Sequence, residues 1–141
     1  MLDKQALKQW AKIFIQNRDA FHKQIEIIEE DEEWDFIAHL KDGTKRLYLA
    51  QEPLHIEELL PKLGIEPVYV IVNNSKQNLT ILIDHWQELK TFPKLCIIFI
   101  NPDSDLEKQW MIYPYTHDRI TETSALKLGL KSIFESVKEM R

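Results

Sequence analysis

Residues that could bind an anion occur together at 73–78, where the sequence reads Asn-Asn-Ser-Lys-Gln-Asn. This stretch joins a predicted central strand to a predicted helix, and open α/β sheets often bind ligands at such junctions. Unpaired N–H groups and the helix dipole favour anions there. Ser75 and Lys76 could therefore hold a phosphate or carboxylate, with Asn73 and Asn74 adding hydrogen bonds. The same residues also suit a simple turn followed by a serine helix cap.

A second pair of residues has the chemistry of metal ligands. Asp35 and His39 lie in a segment where residue types alternate, so a strand would place both side chains on one face. Carboxylate oxygen and imidazole nitrogen are ligands for divalent metals. Two ligands are only part of a metal site, and an exposed strand face explains the pair more simply.

A third group follows Tyr115-Thr116 in a stretch predicted to be a loop. His117, Asp118 and Arg119 together offer an imidazole, a carboxylate and a guanidinium. Such a set could carry acid–base chemistry or clamp a phosphate. Surface loops also accumulate these residue types without any function.

The signatures of several large enzyme classes are absent. The sequence contains no GxSxG, HExxH, CxxC or GxGxxG motif and no P-loop, so the commonest hydrolase, metalloprotease, redox, dinucleotide and NTPase patterns are missing. Cys96, the only cysteine, stands in an apolar run where a buried structural thiol is expected. The formal net charge of −5 disfavours non-specific binding to duplex nucleic acid, because that binding requires Lys and Arg to neutralise phosphates.

Length and composition are those of one globular domain. The chain has 141 residues, 44% hydrophobic and 29% charged, which predicts a single α/β domain over 1–141 with one packed core. The first residues lack the apolar stretch of a signal peptide, and no apolar run approaches the roughly 20 residues that cross a bilayer. A lone cysteine allows no internal disulfide, which agrees with a reducing compartment. We therefore expect a cytoplasmic protein that does not enter a membrane.

The periodicity of apolar residues predicts the elements that position these groups. Predicted helices cover 2–18, 56–63, 76–90 and 124–137, and predicted strands cover 25–28, 34–40, 45–50, 68–72, 95–100 and 109–115. The strands over 68–72 and 95–100 are unbroken apolar runs, which indicates that both of their faces are covered.

The connections between strands decide the predicted architecture. The Asp42-Gly43 turn joins 34–40 and 45–50 as an antiparallel hairpin. The helix over 76–90 links the two unbroken runs, and such a crossover is parallel and right-handed. The predicted fold is therefore α/β: a mixed β-sheet with an N-terminal antiparallel hairpin, a parallel crossover and helices on both faces.

This order of elements resembles the restriction-endonuclease-like superfamily, whose members share a PD-(D/E)xK nuclease core. In that family a helix precedes an antiparallel hairpin and a third strand, and a crossover helix then leads to a parallel strand. Trp34-Asp-Phe-Ile-Ala resembles the stretch with the family's first acidic residue, so the resemblance implies Asp35 as a ligand of Mg²⁺. Residues 95–100 followed by 109–114 resemble its last strand pair.

The (D/E)xK half of that motif is missing. In residues 47–51 no acid stands two positions before a lysine, and in residues 70–76 asparagines replace the acid and Lys76 is displaced. Nuclease chemistry of this type needs clustered carboxylates around Mg²⁺. The resemblance therefore implies a relative that has lost its activity.

These observations favour a non-catalytic module that binds a protein partner or forms a homo-oligomer. Six of the seven residues at 29–35 are acidic and could dock a basic partner. One alternative is a metal-dependent nuclease or phosphoesterase that uses Asp35 with Mg²⁺. The other is a sensor that binds small anions at Ser75 and Lys76.

Overall fold

The computed structural model describes residues 1–140 and shows a six-stranded mixed sheet with helices on both faces. The strands are β1 (Ile25–Glu30), β2 (Phe36–Leu40), β3 (Lys45–Ala50), β4 (Val68–Asn73), β5 (Leu95–Ile100) and β6 (Gln109–Ile112). The helices are α1 (Lys4–His22), α2 (Ile56–Leu59), α3 (Lys76–Asp84), α4 (Trp86–Leu89), α5 (Pro114–Ile120) and α6 (Leu126–Glu135). Short 3₁₀ turns follow α2 and precede α6.

The strands lie across the sheet in chain order, so each strand pairs with its neighbours in the sequence. β1, β2 and β3 form an antiparallel meander, β3, β4 and β5 are parallel, and β6 returns antiparallel to β5. The predicted mixed α/β sheet and the parallel crossover between the two apolar runs are confirmed. A further parallel connection leads from β3 through α2 to β4.

Alternate residues of the central strands point to opposite faces of the sheet and build two hydrophobic cores. Val70 and Phe99 belong to the core under α2, α3, α4 and α6. On the other face, Leu7, Ala11 and Ile15 of α1 pack onto the sheet. Every residue of β5 is buried, as its unbroken apolar run predicted.

Helix α1 shows how local sequence defines an element. Asp3 caps it, because its carboxylate accepts the N–H of Ala6 at 2.8 Å, and Lys23 ends it with a left-handed φ of 49°. The helix therefore continues past the predicted end at Arg18 to His22. No helix within residues 1–140 combines the length and the apolar character that crossing a bilayer would require.

Three sequence predictions are wrong in the second half of the chain. The helix predicted over 76–90 is two helices, α3 and α4, separated at His85. The strand predicted over 109–115 ends at Ile112, because Pro114 occupies the first position of α5, where a residue without an N–H group is favoured. The loop predicted at 117–119 is therefore a helix.

The core of β5 can be tested with two substitutions of the same type. Ile97 is fully buried at the centre of the sheet, whereas Ile27 on the edge strand β1 is 59% exposed. Replacing Ile97 with alanine removes buried methyl groups and should lower the free energy of unfolding by about 2–5 kcal/mol. Ile27→Ala should cost less than about 1 kcal/mol. Urea denaturation followed by circular dichroism measures both, and equal losses would contradict this assignment of the core.

Candidate functional site

The predicted anion site at the C-terminal end of β4 is occupied by hydrogen bonds within the chain. Asn73, Asn74 and Asn78 are all 0% exposed. The Oδ1 atom of Asn74 accepts the indole N–H of Trp110 at 2.7 Å, and its Nδ2 donates to the carbonyl of Val137 at 3.0 Å. Asn74 therefore joins β4 to β6 and to the segment that follows α6.

The other two asparagines connect β4 to earlier parts of the chain. Asn73 Oδ1 accepts the N–H of Leu2 at 3.2 Å, and its Nδ2 donates to the Leu2 carbonyl at 2.7 Å and to the carboxylate of Glu52. Asn78 accepts the N–H of Leu54 at 2.9 Å and donates to the Asn73 carbonyl at 2.9 Å. The chain start and residues 52–54 are thus held against the end of the sheet.

Ser75 and Lys76 differ in their surroundings. The hydroxyl of Ser75 accepts the N–H of Asn78 at 3.2 Å, so the predicted helix cap is confirmed. The side chain of Lys76 is 78% exposed, and its Nζ lies 3.8 Å from the carboxylate of Glu139. Of the four predicted anion-binding residues, Lys76 alone presents its polar group to solvent.

Asp35 and His39 have separate partners. The carboxylate of Asp35 accepts the N–H of Ala50 at 2.7 Å, and its own N–H donates to the Tyr48 carbonyl at 2.9 Å. His39 Nε2 lies 3.4 Å from the carboxylate of Glu29 on β1. Within residues 1–140, no three His, Cys, Asp or Glu side chains gather in a group that could hold a metal ion.

Helix α5 brings His117 and Asp118 to the side chain of Trp86. The Asp118 carboxylate accepts the indole N–H of Trp86 at 2.9 Å and lies 3.6 Å from Lys90 Nζ. The His117 ring meets Trp86 edge to face, with 5.9 Å between centroids. Its Nε2 atom is buried, with no hydrogen-bond partner among the described residues. These contacts join α5 to α4.

At neutral pH both side chains are deprotonated, so His117 is neutral and Asp118 carries a negative charge. Burial lowers the pKa of His117 below its ordinary value of 6.5, although the negative charge of Asp118 opposes the shift. The hydrogen bond from Trp86 lowers the pKa of Asp118. Arg119 does not join them, because its guanidinium lies over the ring of Tyr115, 4.1 Å from the centroid.

A groove of about 490 Å³ runs between α3 and α6. One stripe of each helix faces it, since residues 79, 80 and 83 and residues 127, 131 and 134 recur at helical spacing. Its floor is apolar and consists of Leu79, Ile83, Phe134 and Val137. Of these four side chains, Ile83 alone is half-buried and the others are buried. The groove is therefore an open depression over a closed core.

The rim of this groove carries exposed lysines, and we call it the lysine-rimmed groove. They are Lys76 on α3, Lys127 and Lys131 on α6, and Lys138 beyond its end. Two glutamates, Glu135 and Glu139, also line the groove. Four lysines against two glutamates leave the rim positive, although the chain as a whole carries a net charge of −5.

The sequence did not lead us to predict a site at this groove. Leu79 and Ile83 recur at the spacing of an apolar helix stripe, which indicates core residues, and Lys127 and Lys131 belong to no functional motif. The available signal was the four-residue spacing of those two lysines beside an apolar stripe, which puts both on one helix face. That spacing does not reveal which other helix the face adjoins.

No protein-family model, curated protein or solved structure matches this chain. Its function must therefore be inferred from its own geometry. Around β4 that geometry is closed, because the predicted asparagines are buried and hydrogen-bonded within the chain. Between α3 and α6 it is open and positively charged.

Removing the central amide should destabilise the fold strongly. Asn74→Ala leaves the Trp110 indole and the carbonyls after α6 without their buried partner, so we expect a loss of about 2–4 kcal/mol in the free energy of unfolding. Asn17→Ala, at an exposed position on α1, is the matched control and should change it by less than about 0.5 kcal/mol. Chemical denaturation measures the free energy of unfolding of both variants. If Asn74→Ala lowers it no more than Asn17→Ala does, the role given to this side chain is contradicted.

The His117 imidazole should titrate below pH 6.5. NMR titration of the imidazole C–H signals between about pH 5 and 8 measures this directly. Because the unfolded chain binds this proton more readily than the folded one, the contribution of His117 makes stability rise with pH in the window below 6.5. Asp118→Asn keeps an acceptor for Trp86 and removes the charge, so it should lower the His117 pKa further. A wild-type pKa at or above 6.5 would show that the ring is not desolvated.

Proposed function

We propose that this chain is a non-catalytic protein-interaction module, and that its lysine-rimmed groove binds an acidic segment of a partner protein. The observation that carries the proposal is the combination of four exposed lysines and an apolar floor between two helices. Four lysines line this one groove, although the chain has 23 acidic residues against 18 lysines and arginines. They match a partner that carries carboxylates.

The shape of the groove favours an amphipathic partner segment. A helix laid between two helices presents apolar side chains at positions i, i+3, i+4 and i+7 along one face. Such a face would meet Ile83 and the floor below it, while flanking Glu or Asp side chains would reach Lys127 and Lys131. The partner is therefore expected to combine an apolar stripe with acidic flanks.

The energetics predict weak and salt-sensitive binding. Most floor side chains are already buried, so a partner would remove little additional apolar surface from water. Each exposed ion pair contributes only about 0–1 kcal/mol. Complementary charge then acts mainly on partner choice and association rate. These properties are typical of a transient interaction.

The charge distribution also favours a protein partner over nucleic acid. Outside the groove the chain is acidic, with six carboxylates at 29–35 on the β1–β2 edge. An extended phosphate backbone would be repelled by that edge once it left the lysines. A short acidic segment would contact the groove alone.

A structural relationship to the restriction-endonuclease-like superfamily is part of this proposal. The antiparallel meander of β1, β2 and β3, followed by the parallel β4, supports it, as does the position of Asp35 directly before β2. The carboxylate of Asp35 is bonded to the Ala50 N–H, and β3 carries no acid two residues before a lysine. These two facts support a non-catalytic role.

Peptide display tests the proposal and requires no identified partner protein. A random peptide library is selected on the wild-type chain, and peptides that also bind Lys127→Glu/Lys131→Glu are removed. We expect the remaining peptides to be acidic and amphipathic. Enrichment of basic or uncharged peptides, or no enrichment over the charge-reversed variant, would overturn the proposed site.

Affinity measurements on a selected peptide complete the test. In fluorescence polarisation, the Lys127→Glu/Lys131→Glu variant should bind at least about tenfold more weakly. Lys41→Glu/Lys94→Glu makes the same charge change at exposed positions outside the groove and should retain wild-type affinity. Wild-type affinity should fall as salt is raised. Two outcomes would refute the proposed acidic protein partner. One is that duplex DNA binds more tightly than the peptide at the same lysines, and the other is that the wild-type chain self-associates and the groove variant does not.

A further inference from the structure

A second cavity lies on the opposite face of the sheet, under the C-terminal part of α1. It measures about 320 Å³ and is lined by α1 from Phe14 onward and by residues of all the strands except β2. Helix α1 buries no residue beyond Ile15, so its last two turns cover the sheet only loosely. The cavity occupies this space, away from the asparagines at the other end of β4.

Aromatic side chains form the sheet side of the cavity. Tyr48 on β3 is the direct neighbour of Tyr69 on β4, and Tyr69 is the neighbour of Cys96 on β5. The two tyrosine rings stack with 4.9 Å between centroids. Tyr113, which directly follows β6, adds a third phenol to the lining.

Tyr48 and Tyr113 are protonated at neutral pH. Burial, together with a smaller contribution from the adjacent Tyr69, raises the pKa of Tyr48 to about 12. Burial also raises the pKa of Tyr113, with additional contributions from Cys96 and Tyr69. The hydroxyls of Tyr48 and Tyr113 therefore keep their protons, and each can donate a hydrogen bond to an acceptor.

Two arginines in the lining, Arg18 and Arg46, have no carboxylate within ion-pair distance among residues 1–140. Their contacts are with uncharged groups. Arg18 meets the sulfur of Met111 at 3.3 Å and lies over the Phe14 ring, 5.3 Å from its centroid. Arg46 meets the Gln24 side chain at 3.5 Å and the hydroxyl of Tyr48. Asp19 also lines the cavity, but its Oδ1 accepts two backbone N–H groups at 2.8 and 3.0 Å.

We infer that this cavity binds a small organic phosphate whose body is aromatic or apolar. Guanidinium groups bind phosphate oxygens in a planar, two-pronged geometry, and Arg18 and Arg46 are available to do so. The phenol hydroxyls supply further donors. The cavity walls of Phe14, Ile98 and Met111 offer an apolar surface for the rest of the ligand.

The size of the cavity limits the ligand. If each group takes the volume of one water molecule in the liquid, the cavity has room for about ten such groups. Its volume lies near the lower end of the range for small-molecule sites. That room suits a monophosphate with one ring rather than a dinucleotide. The two arginines also supply two positive charges in one lining, which favours a dianion as the ligand.

A panel of three small probes separates the two halves of the inferred recognition. Phenyl phosphate carries both the anion and the ring, inorganic phosphate carries only the anion, and phenol carries only the ring. In NMR titrations of the labelled full chain, phenyl phosphate should bind most tightly and shift signals of the cavity residues. No saturable shift up to about 10 mM, or equal binding of phenyl phosphate and either fragment, would overturn the inference.

Substitutions identify the cations involved. Arg18→Gln/Arg46→Gln should weaken phenyl phosphate binding at least about tenfold, while circular dichroism confirms that the variant is folded. Arg119→Gln, an arginine outside the cavity, is the matched control and should bind as the wild type does. Lys127→Glu/Lys131→Glu should also leave this binding unchanged, so failure of one site is distinguishable from failure of the other. Equal loss in Arg119→Gln would mean that attraction to general positive charge, and not the cavity, explains the binding.

Discussion

The fold depends on satisfying one buried amide, the side chain of Asn74. It is closed off from water, so each of its polar groups left without a partner would cost about 1–3 kcal/mol. The partners come from Trp110 and from the carbonyl of Val137, which lie 36 and 63 positions further along the chain. β4, β6 and the end of α6 must therefore meet in one arrangement. An apolar side chain would accept several packings, whereas the amide accepts only the packing that completes its hydrogen bonds.

The buried asparagines after β4 also close the part of the sheet where ligands of this class of fold usually bind. Ligands of open α/β sheets gather at the carboxyl ends of the parallel strands, but here Asn73, Asn78 and the chain start close that edge. Open space remains where helices cover the sheet incompletely. One such place is the groove between α3 and α6, and the other is the cavity under the last turns of α1.

The two open places use different cations, and the difference agrees with their shapes. Lysines rim the groove as flexible, hydrated charges on helix surfaces, which suits a mobile acidic protein segment. Arg18 and Arg46 line the cavity together with three tyrosines. There a planar guanidinium can bind a phosphate in a defined geometry. The acidic residues at 29–35 lie on the β1–β2 edge and line neither the groove nor the cavity.

Local patterns in the sequence determined the elements, and the tertiary structure decided the sites. The Asp3 and Ser75 caps and the unbroken run of β5 were predictable, because each depends on residues within a few positions of one another. The division of the helix at His85 was not, since both parts bury their own apolar residues against the sheet, and that packing outweighs weak local preferences. The early end of β6 has a local cause in Pro114, which also suits the end of a strand and therefore did not by itself predict a helix. The predicted site at residues 73–78 had the right residue types for a ligand, but distant partners such as Trp110 occupy them. Likewise, no periodicity reveals that α3 faces α6, or that Arg18 lines the same cavity as the tyrosines of β3 and β4. Side chains far apart in the chain meet only after the sheet order is set, and that order emerges from the packing of the whole domain.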